Sequence, residues 1–216
     1  MSAKPAAPFV ARPQVEATHY RPSSYLTPKR MASIGYQLQL VATHFPAASV
    51  LEIGGGGGLA RQLLREEGHE VLPIDLDPAL RPDVVAALPD LPLRGDAVDC
   101  VLCCQVLEHM PWEASRAALR EMYRVARKGA VISVPSVQRG VALVAFGPVR
   151  DGSRAIELPA LGASRIRNRR EHHWELGAGV SLAQFRAAIA EAGFAVAESF
   201  RPVTWMYHHF FVLKKS

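Results

Sequence analysis

Val50-Leu51-Glu52-Ile53-Gly54-Gly55-Gly56-Gly57-Gly58 decides how this chain is read. A short apolar strand signal over 49–53 runs straight into five glycines. Residues 59–67 then carry a helix pattern, and Gly68 suits its stop. Glycine at a strand-to-helix turn leaves no Cβ in the way of a ligand, and five in succession cost conformational entropy that a plain turn does not require. A dinucleotide turn asks for G-x-G-x-x-G, whose last glycine lets helix and strand pack closely. Here Leu59 stands three residues after Gly56, and the spacing is Glu52-x-Gly54-x-Gly56-x-Gly58.

The acid ahead of the glycines carries information about charge. At the end of a strand facing a crevice, Glu52 would repel a pyrophosphate and attract a cation. S-adenosylmethionine has an ammonium and a sulfonium and no phosphate, so the charge logic prefers it to a nicotinamide dinucleotide. Asp75 closes the next strand signal, over 70–74, where a carboxylate can accept from two ribose hydroxyls.

Outward from this turn the signals alternate. Thr27-Pro28 reads as a helix start, with apolar positions at Met31, Ile34, Leu38 and Val41. A weak strand is expected at 83–85. Residues 98–104 form the continuous apolar run of a strand buried on both faces. A helix over 111–125, a strand over 130–134, a capping box at Ser181–Gln184 opening a helix to Gly193, and strands near 195–200 and 210–213 complete the pattern. Strand and helix alternation makes the chain α/β, with a mostly parallel sheet covered on both faces.

Composition sets outer bounds. The 216 residues are 49% hydrophobic and 21% charged, with a formal charge of +5 and three cysteines. That excludes wholesale disorder, a coiled coil and a disulfide-rich scaffold. No apolar run approaches a membrane span, and the first residues lack the apolar stretch of a secretory signal, so a cytoplasmic protein with no membrane partner is expected. Cys100, Cys103 and Cys104 lie on the buried strand, where neighbours point to opposite faces, and read as packing.

The ordered set of motifs resembles the class I S-adenosylmethionine-dependent methyltransferases, most closely their small-molecule branch. It comprises 50–58, Ile74-Asp-Leu-Asp77, Leu91-Pro-Leu93, 97–102, Val106-Leu-Glu-His109 and Arg124-Val-Ala-Arg-Lys-Gly129. The resemblance covers about 25–134 well. It implies a Rossmann-like, doubly wound, seven-stranded sheet with helices on both faces. Residues 1–18, rich in Ala and Pro and without period, read as a flexible tail, which leaves a methyltransferase domain over 19–216 with a helical cover at 19–48 and a substrate-side insert at 136–178. Glu52, Gly54, Gly56 and Gly58 would hold the methionine end of S-adenosylmethionine, Asp75 the ribose, and Gln105 would lie beside the substrate opening. Asp77 is a second candidate, placed in the following turn. The family's usual acid ahead of the Leu-Pro segment is Ala87 here, which leaves adenine to backbone near Leu88 and to apolar packing.

Methyl transfer to a hydroxyl gains from a base, and His109, His172 and His173 are the candidates, with Glu171 beside them. A metal centre needs more ligands than this pattern places, so none is expected. The cluster around Arg167, Arg169, Arg170 and Trp174 suits an anionic small-molecule acceptor, since guanidinium groups read carboxylate or phosphate. A solvated basic face is the competing reading. Oxygen is the first choice of acceptor atom. A nucleic-acid acceptor is disfavoured by Cys104-Gln105-Val106-Leu107, which lacks the Pro-Pro-aromatic pattern of base-amine methylation. A protein acceptor and a non-catalytic S-adenosylmethionine-binding module stay open.

Overall fold

The computed structural model describes residues 10–13, 16–20, 25–138, 140–145, 152–157 and 165–215. After a 3-10 turn at Ala17–Tyr20 come α1 (Pro28–His44), β1 (Ser49–Ile53), α2 (Leu59–Glu66), β2 (Glu70–Asp75), β3 (Val84–Val85), β4 (Val98–Cys104), α3 (Trp112–Val125) and β5 (Ala126–Pro135). Then follow β6 (Gly140–Ala145), β7 (Gly152–Glu157), β8 (Glu175–Leu176), β9 (Gly179–Val180), α4 (Leu182–Glu191), β10 (Phe194–Phe200) and β11 (His208–Lys215). Seven strands form one sheet in the order β10-β11-β5-β4-β1-β2-β3. All pairs are parallel except those made by β11, which is antiparallel to both β5 and β10. Strand order reverses between β1 and β4, and a doubly wound sheet opens a crevice at the carboxyl ends of such a pair.

Local chemistry explains the element ends. Thr27 Oγ1 accepts from the Arg30 N–H at 3.3 Å, with Pro28 opening α1. Ser181 and Gln184 cap α4 reciprocally, at 3.1 and 2.8 Å. Strand alternation sorts the core into two layers. Leu51, Val101, Cys103, Ile132 and Phe211 pack with α3 and α4, while Val50, Cys100, Leu102, Val131 and Phe210 pack with Leu40, Val41 and Phe45. Cys103 and Cys104 do take opposite faces, and α1 packs on one face of the sheet through Leu40 and Val41. No helix among the described residues is long and apolar enough to cross a membrane.

Two strands extend beyond their apolar runs. β5 begins at Ala126 because backbone pairing with β4 starts there, although Arg127 and Lys128 are exposed. β11 begins at His208 because His208 and His209 pair with Pro135 and Val134 and find hydroxyl partners in buried Ser33 and half-buried Ser199. The insert contains the antiparallel hairpin β6–β7. It then returns to the sheet end, where Val137 N–H donates to Leu176 O at 2.9 Å. The boundary drawn at residue 18 cuts the turn Ala17–Tyr20, and Ala11, Arg12 and Pro13 line the main cavity.

Candidate active site

The alternating glycines are the positions at which the loop bends. Gly54, Gly56 and Gly58 have φ of +69°, +53° and +78°, a region where any side chain is strained. Close approach adds to this: a Cβ on Gly54 would stand 2.6 Å from Val106 Cγ2, and one on Gly56 would stand 2.6 Å from the Tyr20 ring. A Cβ on Gly55 would strike the Glu52 carboxylate, so that acid is folded against the loop. Glu52 is 2% exposed, and its Oε2 has no hydrogen-bond partner. Burial pushes its carboxyl up to about 7, against the pull of Arg61.

Asp75 sits one strand over, since β1 and β2 pair in register up to Ile53 and Ile74. Its Oδ1 accepts from the Asp77 N–H at 3.0 Å, and burial raises its carboxyl. Asp77 caps the next turn through the Ala79 N–H at 2.9 Å. Gln105 holds a left-handed φ of +59° just past β4. Bonds from its N–H to Ser133 O, at 2.8 Å, and from its amide to Ser133 Oγ, at 3.2 Å, keep it there.

A cavity of about 870 Å³ lies over these groups, lined by Glu52, Gly54, Gly58, Asp75 and Gln105. Two of the residues assigned to the cofactor from sequence are not part of this lining. Gly56 lies beneath the Tyr20 ring, and Leu88 is a core residue at 3% exposure. The Leu-Pro motif locates that loop but not its burial; Leu76 and Leu80 supply the apolar wall instead.

The same cavity continues to His109, His172 and Arg167. The two imidazole centroids are 4.9 Å apart. His109 Nδ1 lies 3.1 Å from Glu171 O, and burial lowers its pKa to about 4. His172 Nδ1 lies 2.8 Å from Glu175 Oε1. Glu175 is fully buried and also accepts from the Arg167 and Asn168 N–H groups and the Tyr207 hydroxyl, at 2.8, 3.1 and 2.7 Å. Burial alone would raise its carboxyl, but these donors hold it below the ordinary range.

His173 is exposed outside the cavity and gives its backbone N–H to Glu108 O at 2.8 Å. Arg169 and Arg170 are also exposed and outside it. Trp174, read from sequence as a substrate wall, is a core residue instead. It is 2% exposed, packs edge-on against Trp112, and donates its indole N–H to Ser115 Oγ at 3.0 Å.

Sequence reasoning missed Tyr20, Tyr25, Arg30, Trp205, Tyr207 and His208, all of which line the cavity. The Arg30 guanidinium stands 4.4 Å from the Tyr25 ring centroid and 5.1 Å from that of Trp205, and Arg167 stands 5.1 Å from that of Tyr207. Nothing in the chain's order joins these groups. Sequence also placed only Glu108 and His109 as neighbours and expected no metal centre. The fold adds His172, so that one ligand atom from each of the three lies within 4.8 Å of the others.

The cofactor half fits a ligand with a cation at one end and hydroxyls nearby. An unpartnered buried carboxylate oxygen waits at Glu52, a half-buried acceptor at Asp75, and the backbone between them has no Cβ. Comparison with known proteins agrees. Residues 51–134 match the methyltransferase domain family. A probable S-adenosylmethionine-dependent methyltransferase of Mycolicibacterium smegmatis is 32% identical over 123 residues, 52% of this chain and 46% of that relative. A Mycobacterium tuberculosis relative of the same description matches at 32%, over 43% of its length. The match thus spans under half the length of both curated relatives. In fold, the chain is similar to 1,6-didemethyltoxoflavin-N1-methyltransferase of Burkholderia thailandensis, solved with S-adenosylhomocysteine, at a TM-score of 0.61 and 17% identity over 86% of this chain and 79% of that one. It is similar as well to magnesium protoporphyrin IX methyltransferase of Synechocystis, solved with S-adenosylmethionine, at 0.58 and 16% over 87% and 80%. Over residues 51–134 the chain is thus similar to S-adenosylmethionine-dependent methyltransferases.

Proposed function

We propose that the protein moves the methyl group of S-adenosylmethionine to a small anionic acceptor, at oxygen in the first instance. The observation that carries this reading is the single cavity running from Glu52 and Asp75 to Arg30, Arg167, His109 and His172. Its volume is within the usual range of about 300–1,000 Å³ for small-molecule sites. Two structural neighbours are named for small molecules, 1,6-didemethyltoxoflavin and magnesium protoporphyrin IX.

When bound, S-adenosylmethionine supplies a methyl group already activated on a cationic sulfur. Glu52 would pair with its ammonium, Asp75 would accept from the ribose hydroxyls, and Leu76 and Leu80 would flank the adenine. Arg30 and Arg167 are fixed over aromatic rings, so both guanidiniums are positioned before an anion arrives, and positioning carries much of such a displacement. The Glu108–His109–His172 group is where the acceptor's proton would be handled.

Calorimetric titration with S-adenosylmethionine, S-adenosylhomocysteine and NADH comes first, followed by transfer of labelled methyl to a panel of carboxylated and phosphorylated hydroxy compounds. Binding of the first two ligands and not the third is expected. Transfer should fall in Arg30→Ala and Arg167→Ala through a higher acceptor KM. Cofactor binding without transfer to any acceptor would favour a binding module and sink the reading. A nucleic-acid or protein acceptor is the second reading, favoured by Arg165, Arg169 and Arg170, which are exposed outside the cavity. Under it, neutralising those three would abolish transfer to the macromolecule.

A further inference from the structure

We infer that Glu108, His109 and His172 form a binding site for one divalent transition-metal ion of the zinc class, opening onto the acceptor end of the cavity. The site's place beside the acceptor rests on the methyl-transfer reading above; the ligand set does not. Glu108 is fully buried, lines the cavity, and has no hydrogen-bond partner at either carboxylate oxygen. A buried carboxylate left open in this way carries a desolvation penalty that a cation would offset.

The two histidines are oriented by partners suited to metal ligands. The Glu171 carbonyl can only accept, so His109 Nδ1 is the protonated nitrogen facing it. Glu175 is an ionised acceptor with three other donors, so His172 Nδ1 is likewise the donor. Both rings therefore present Nε2 as the lone-pair nitrogen, each with a carbonyl or carboxylate behind it, the arrangement that fixes metal-bound imidazoles. Two imidazole nitrogens and one carboxylate oxygen suit Zn²⁺ and its neighbours better than Mg²⁺ or Ca²⁺, which want oxygen shells. Ligand atoms ~2.1 Å from a tetrahedral ion stand ~3.4 Å apart. The three atoms, within 4.8 Å of one another, then close by rotations of the side chains.

Three protein ligands leave one position for the acceptor. A cation there favours the ionised form of a hydroxyl. The hydroxyl's proton goes to solvent, its oxygen bonds to the methyl carbon, and the carbon–sulfur bond breaks with its electron pair passing to sulfur.

The test is calorimetric titration of chelator-treated full-length protein with Zn²⁺ alone, alongside S-adenosylmethionine titrations of the same samples. One equivalent of zinc should bind at micromolar Kd or tighter. Glu108→Gln and His172→Ala should each weaken it at least tenfold, and His44→Ala, at the C-terminal end of α1, outside the cavity lining and bonded to Glu198, should not. Absence of a one-equivalent event overturns the site, as does an event that survives both substitutions. Should a variant fail to fold, zinc-edge X-ray absorption of the wild type decides: two imidazoles in the first coordination sphere are required, and any other ligation refutes the assignment. Zinc lost with S-adenosylmethionine binding retained sinks this inference alone; zinc bound with no S-adenosylmethionine binding sinks the methyl-transfer reading instead.

Discussion

Replacing Glu52 with Gln should abolish a pH dependence of cofactor affinity that the wild-type protein shows between pH 6 and 7. The carboxyl is pushed by burial to about 7, and only its ionised form can pair with an ammonium. Its ionised fraction rises from ~0.1 at pH 6 to ~0.5 at pH 7, so apparent Kd falls about fivefold, or ~1 kcal/mol. The sign is fixed: affinity improves as pH rises. Several neighbouring groups titrate outside this window. The α-amino group of the ligand titrates higher, near ~7.7–8.0. His109 and His208, which burial lowers to about 4 and about 3, titrate below it. At pH 7 binding should expel about half a proton, readable from calorimetry in buffers of different ionisation enthalpy. A flat wild-type Kd across the window, or the same slope in Glu52→Gln, would refute the pairing of Glu52 with the ligand's cation.

The same shift makes a stability prediction of opposite sign. A carboxyl raised from 4.5 to about 7 on folding contributes stability below the unfolded pKa and loses it as pH rises through 7, at a cost of ~3 kcal/mol. Ligand-free Glu52→Gln should therefore melt higher than wild type at pH 8 and equally at pH 4, and equal melting at pH 8 would count against the shift. Asp75→Ala should weaken S-adenosylmethionine binding by ~1.5–3 kcal/mol, the range for hydrogen bonds to a charged group; unchanged affinity would remove Asp75 from the site. Trp174→Ala should cost ~3–5 kcal/mol of stability as a core deletion, measured by denaturant unfolding. The double change Arg169→Ala, Arg170→Ala should leave both stability and acceptor KM within error of wild type, and a raised KM would return those residues to the substrate site.

The glycine-loop part of the cavity was legible because its determinants are consecutive. Strand, glycine turn and helix occupy one short stretch, and the alternating spacing of Gly54, Gly56 and Gly58 marks the three positions with left-handed φ. Asp75 followed because parallel pairing brings the end of β2 beside the end of β1. The rest of the cavity was not legible because its groups meet only through topology. Tyr20 and Arg30 precede the sheet, His172 comes from the insert, and Tyr207 and His208 are delivered by the last antiparallel strand. The basic cluster misled at its end. Exposure stops at His173, and Trp174, Glu175 and Leu176 are all buried, so a charged run conceals the start of β8. The Leu88 side chain turns into the core, since a motif reports where a loop lies along the chain and not which way its side chains turn.

Three buried acids show how the fold separates structure from site. Glu52, Glu108 and Glu175 are 2%, 0% and 0% exposed. Glu175 receives two backbone N–H groups, a phenol and an imidazole, and its carboxyl is lowered in spite of burial. Glu52 and Glu108 are left with unpartnered oxygens, and burial raises them to about 7 and about 8. The chain can clearly satisfy a buried carboxylate where one anchors the insert, so the two open ones are not a failure of the local backbone. Both face the same cavity, one beside the glycine loop and one beside the histidines. A carboxylate already stripped of water and held rigid has little left to lose when a cation arrives, which is the condition for strong pairing. The stability given up by ionised Glu52 and Glu108 is thus recovered by a proton or by a ligand of positive charge, at two separate points of one cavity. Two different cations, an ammonium and a metal ion, meet that requirement without competing for the same acid.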